Sequence, residues 1–151
     1  MTATRDKLRA MKACAPALRW IGDRTIEQAW RECGRSDWMC WLLERIAPGD
    51  PRLLLAAADM AERVWGLIPD EPTRLAAAWA IGAARRGDTD EMDAASHATV
   101  AATVAAAAAY AADAAARSFA SRTAESAAQA DILRWYFSAR EVGELFRRAT
   151  A

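Results

Sequence analysis

From Asp88 to Val142 the chain contains neither glycine nor proline. A single helix over that span would extend about 80 Å at 1.5 Å per residue. That is too long for a compact domain of 151 residues, so the span must contain a break. Arg117–Ser121 and Ser121–Thr123 are the candidates, because Ser and Thr side chains can cap a new helix start. Much of the span is alanine, and 40 of the 151 residues of the whole chain are alanine. Alanine is the best helix former and loses no side-chain entropy on burial. Period-2 alternation is missing and β-branched residues are few, so no segment reads as a strand. The expectation is an all-α fold, a single domain over residues 1–151 with about seven helices. A tryptophan-rich N-terminal half packs on long, alanine-rich C-terminal helices. The seven tryptophans supply the buried area, roughly 150–250 Å² each, that alanine cannot.

Helix punctuation in the N-terminal half is dense. A first helix covers about Arg5 to Ala13. Pro16 suits the first turn of a second, which Gly22 ends. Thr25-Ile-Glu-Gln28 is a capping-box pattern that opens a third, with Ile26, Trp30 and Cys33 on one stripe and a stop at Gly34. Ser36 caps a fourth. Its apolar run from Trp38 to Leu43 covers every helical face, which predicts a central, surrounded element. Pro48, Gly49 and Asp50 break it, and Asp50-Pro51 caps a fifth helix. There Leu53, Ala57, Met60, Val64 and Leu67 recur at helical spacing, with Asp59, Glu62 and Arg63 opposite. Pro69 and Pro72 bracket a turn before a helix carrying Leu75, Trp79 and Gly82. Near the C-terminus Ile132/Tyr136 and Leu133/Phe137 form i,i+4 pairs. Ser138-Ala-Arg-Glu141 is a second capping-box pattern, opening a helix with Val142, Leu145, Phe146 and Ala149 inward.

Composition excludes several function classes. The formal net charge is zero and the 18 arginines are dispersed among acids, so neither nucleic acid nor a membrane is expected as a partner. Ala94–Ala112 is uncharged, but its alanines, Ser96, His97, Thr99, Thr103 and Tyr110 make it a buried helix rather than a membrane span. The first residues are charged, without an apolar signal region, and Cys14, Cys33 and Cys40 are an odd number with no C-x-x-C pair. This reads as a reduced, cytoplasmic protein whose cysteines are small buried apolar residues. No nucleotide-binding, zinc-protease or nucleophile-elbow motif occurs. His97 is the single histidine. No catalytic residue, metal site or cofactor is expected. Asp93 and His97 stand four residues apart and could ligate a metal only with help from elsewhere.

Local charge is uneven, and its sharpest feature is the acidic group Asp88, Asp90, Glu91 and Asp93. Such residues complement the positive end of a helix. They also make a candidate contact for a basic protein, since acidic patches steer fast association. Trp30, Trp38 and Trp41 fall on helical apolar faces, which favours core over interaction hot spot.

Residues 22–46, GDRTIEQAWRECGRSDWMCWLLERI, and 129–137, QADILRWYF, flank the alanine-rich segment. This arrangement resembles a family of bacterial and phage-encoded immunity proteins of polymorphic toxin systems. The likeness runs from about residue 13 to 137. It implies an α-helical protein that binds and neutralises a cognate toxin. Its motif residues here are Gly22, Asp23, Arg24, Thr25, Gln28, Trp30, Asp37, Trp38 and Trp41, with structural roles as a helix stop, caps and core pegs. An ion pair of Asp23 or Arg24 with Asp131 or Arg134 is a further expectation. The leading functional expectation is therefore a non-enzymatic protein inhibitor. Two alternatives are a phage-encoded inhibitor of a bacterial defence complex, such as a CRISPR effector, and a self-assembling helical module, for instance a homodimer.

Overall fold

Several helices among the described residues are bounded by chemistry local to their ends. A computed structural model of the chain describes residues 3–63, 71, 74, 75, 78, 82, 85, 86 and 119–151. Seven helices run through them: α1 (Ala3–Ala10), α2 (Ala15–Ile21), α3 (Ile26–Glu32), α4 (Ser36–Ile46), α5 (Pro51–Arg63), α6 (Phe119–Tyr136) and α7 (Ala139–Ala149). Residues 71, 74, 75, 78, 82, 85 and 86 are helical as well, and no strand occurs among the described residues. Among the described residues the architecture is all-α, built on these seven helices, as expected. Among the described residues no helix is long and apolar enough to cross a membrane. The Ala94–Ala112 run lies outside them.

α1 stops three residues earlier than the sequence suggests. Lys12 takes a left-handed φ of 65°. Its N–H donates to Arg9 O at 2.9 Å, and the Ala13 N–H donates to Leu8 O at 3.0 Å. This bond pair is a Schellman ending, a place where glycine is the usual residue. α2 starts with Pro16 in its first turn and ends at Gly22, whose φ of 52° needs glycine. The capping box of α3 is complete: Gln28 N donates to Thr25 Oγ1 at 3.3 Å and Thr25 N to Gln28 Oε1 at 2.9 Å. α3 ends at Glu32, ahead of Gly34, because Cys33 is already extended. Pro48-Gly49, with Gly49 at φ 77°, turns the chain after α4. Asp50 then caps α5, its Oδ1 accepting from Arg52 N at 3.0 Å.

Two expected caps work differently. Ser36 is the first residue of α4 rather than its cap. It is buried, and its hydroxyl donates to Gln129 Oε1 at 3.0 Å, while its N–H donates to Ser126 Oγ at 3.1 Å. The serine therefore joins α4 to α6. Ser138 does accept from Glu141 N at 3.3 Å, but Glu141 does not close the box. Its carboxylate is spent on Arg52, at 2.6 Å.

The helices pack α3 on α7, α4 on α6 and α7, α5 on α6, and α1 on α2. One continuous buried cluster joins them, including Leu8, Ile21, Ile26, Trp30, Met39, Leu43, Met60, Leu133, Phe137, Val142 and Phe146. α4 is not surrounded as expected: Met39, Leu42, Leu43 and Ile46 are buried, whereas Trp38, Cys40 and Trp41 are half-buried. Small residues set the close approaches. Ala130 is fully buried on α6, and a Cβ at Gly143 of α7 would overlap the Glu27 side chain of α3. Asp59 does not lie opposite the apolar face of α5. It accepts from Tyr136 Oη at 2.7 Å, tying α5 to α6. Leu145 is half-buried on α7, and Ala149, expected inward, is exposed.

The ends of α3 and α6 cap each other. Trp30 is 2% exposed, and its Nε1–H donates to Phe137 O at 2.8 Å, past the end of α6. In return, Arg134 of α6 donates from Nε to Trp30 O at 3.0 Å and from Nη2 to Cys33 O, past the end of α3. Arg52 adds a bond to Tyr136 O at 3.3 Å, and its guanidinium lies 4.3 Å from the Phe137 ring centroid. Helix C-termini carry orphan carbonyls and favour cations. Here each is satisfied by a side chain about a hundred residues away in sequence.

Candidate functional site

The acidic group Asp88, Asp90, Glu91 and Asp93 lies outside the described residues, as do Asp93 and His97 as a metal-ligand pair. The motif residues 22–41 are described, and they divide between core and surface. Gly22, Thr25 and Gln28 serve the helix ends as expected. Trp30 is core. Asp23 is exposed, and no ion pair links Asp23 or Arg24 to Asp131 or Arg134. Arg24 instead donates to Glu32 Oε2 and to Trp20 O, both at 2.7 Å, and Arg134 pairs with Asp131 within its own helix. The pairing fails because Arg134 is committed to the carbonyls that end α3.

Trp38 and Trp41, with Trp20, line a partly open cleft of about 60 Å³ between α1, α2, α3 and α4. Its lining also includes Leu8, Ala13 and Ala17 and the buried Ile26, Ala29, Met39 and Leu42. The Trp20 and Trp38 rings are 5.9 Å apart and tilted by 57°. Only Trp30, of the tryptophans at this cleft, finds an acceptor for its indole N–H among the described residues.

Each rim tryptophan carries a guanidinium on its ring. Arg24 sits 5.0 Å from the Trp20 centroid, Arg35 4.7 Å from Trp38 and Arg45 4.3 Å from Trp41. These are cation–π distances. Arg35 is also held bidentately by Asp37, at 2.9 and 2.7 Å. Arg45 donates to Trp41 O at 3.1 Å and has no carboxylate partner among the described residues. The cleft is thus an apolar pit with fixed cations around it, a composition suited to an apolar group that carries negative charge beside it.

The cleft offers no activated nucleophile. Cys33 is buried, and burial pushes its thiol up from the usual range. Burial pushes the Cys40 thiol up to about 12, which keeps it protonated at neutral pH. Cys14 departs from the expectation of buried cysteines: it is exposed. No group of three or more metal-ligating side chains occurs among the described residues.

Some residues escaped sequence reasoning. Trp135 is 85% exposed on α6. Its signal was negative: it sits on neither of the two i,i+4 pairs that face inward there. Arg134 and Arg52 look like surface arginines until the carbonyls they cap are known. The partner of Trp20 in the cleft, Trp38, lies beyond two turns in the chain, so no periodicity connects them. No family model, curated protein or solved structure matches this chain.

Proposed function

We propose that this protein is a non-enzymatic inhibitor that binds and neutralises a cognate toxin in the cytoplasm, as an immunity protein does. The observation that carries the reading is the cleft of Trp20, Trp38 and Trp41 with Arg24, Arg35 and Arg45 on their rings. Tryptophan and arginine are the residue types that dominate protein-binding hot spots. A surface of this kind costs solubility unless something uses it. The resemblance of residues 22–46 and 129–137 to immunity proteins gives the partner class, and the acidic group Asp88, Asp90, Glu91 and Asp93 is a second contact, one that would steer a basic toxin.

Co-expression with the product of the neighbouring gene tests this. The expected result is a co-purifying complex and rescue of growth from that product. Absence of both complex and rescue refutes the reading. Reversing the charge of all four acidic residues should slow association, and an unchanged rate removes them from the contact.

Trp135 favours one second reading, self-assembly through the outer face of α6. Light scattering on the purified chain separates the two. A dimer that Trp135→Ser converts to monomer supports self-assembly, and a wild-type monomer excludes it.

A further inference from the structure

We infer that the cleft between α1, α2, α3 and α4 is the docking site for an acidic protein segment that inserts one aromatic or branched apolar side chain between Trp20, Trp38 and Trp41. This deepens the toxin-binding reading above and rests on it. Two features select the occupant. The first is the apolar lining, which includes no charged side chain. The second is the charge around it. Glu32 and Asp37 answer Arg24 and Arg35. Arg45 has no carboxylate partner among the described residues, and the segment 3–46 that forms the cleft holds nine basic against six acidic side chains, which leaves cationic charge over around it. A carboxylate beside the inserted side chain would meet the Arg45 guanidinium, already held on the Trp41 ring, so little side-chain entropy is lost on binding.

Nucleic acid fits the cleft less well. Single-stranded nucleic acid is bound along grooves that track several nucleotides, whereas this pit of about 60 Å³ takes one side chain.

The test uses two fluorescent probes that share an aromatic body. Anilinonaphthalene sulfonate carries an anion, and N-phenyl-1-naphthylamine does not. Arg45→Met should weaken the sulfonate about fivefold and leave the neutral probe unchanged. Trp38→Ala should weaken both, by about thirtyfold. Trp38→Phe provides the same reading if the alanine variant does not fold. A helical peptide patterned with leucine and glutamate should displace the sulfonate, and its lysine counterpart should not. The inference is overturned if both probes bind every variant alike, or if oligo-dT displaces the sulfonate and the glutamate peptide does not. Toxin neutralisation that survives Trp38→Phe and Arg45→Met together also overturns it while leaving the inhibitor reading intact. Normal probe and peptide binding without any neutralisation supports the cleft and removes the toxin.

Discussion

Tryptophan does two different jobs in this molecule, a few residues apart. Trp30 sits in a dry joint between α3 and the α6–α7 corner, where its indole N–H, the carbonyls around it and Arg134 all find partners. Trp20, Trp38 and Trp41 line the partly open cleft whose inner end Trp30 also reaches, without indole acceptors among the described residues and with arginines on their rings. The difference shows what settles a tryptophan's role. All of them bury apolar area, but only a tryptophan whose N–H has a protein acceptor can be withdrawn fully from water. The others stay at the surface, where their amphipathic rings can meet a partner.

The comparison can be broken by mutation. Trp30→Ala should cost about 3–5 kcal/mol, since it empties the core and strands the Phe137 carbonyl. Trp38→Ala should cost far less, because its ring is only half-buried. Equal losses in chemical denaturation would erase the distinction. Arg134→Met should cost about 2–3 kcal/mol by leaving the Trp30 and Cys33 carbonyls without their charged donor, measured in the same way. Lys12→Gly acts in the opposite direction: releasing the left-handed backbone should stabilise the protein by about 1 kcal/mol, read from the urea midpoint.

Acid gives the smallest effect and sharpens the comparison by loading the joint rather than the cleft. Hydrogen bonds from the Arg52 guanidinium hold the Asp50 carboxyl below its ordinary 3.8. Burial pushes Glu27 upward, but its hydrogen bonds to backbone N–H, Arg147 and Thr25 outweigh this and hold it below its ordinary 4.5. A carboxylate with a lowered folded-state pKa contributes stability that is complete above its unfolded value and lost as pH falls through the folded one. Thermal midpoints should therefore be flat from neutral pH down to about 5 and decline below about 4. Asp50→Asn together with Glu27→Gln should flatten that decline.

The sequence made the all-α class, the Thr25 capping box, the Gly22 stop and the Pro48-Gly49 break legible, because each is decided by neighbours within a few residues. What stayed hidden was long-range. Ser36 looked like a cap because serine before an apolar run usually is one, yet its hydroxyl belongs to Gln129. Arg134 looked available for Asp23, yet the end of α3 claims it. The early end of α1 was hidden because Lys12 stands where glycine would have announced it. For the cleft, the tryptophans were visible but not their openness, since helical spacing marks an apolar face without saying what covers it.

Indole N–H hydrogen exchange, resolved by NMR with tryptophan-to-phenylalanine variants for assignment, tests the central claim most directly. The Trp30 indole proton should be protected to the level of global unfolding, and those of Trp20, Trp38, Trp41 and Trp135 should exchange rapidly. A Trp30 proton that exchanges as fast as the rest, or cleft protons protected as strongly as Trp30, would contradict the division between dry joint and open cleft.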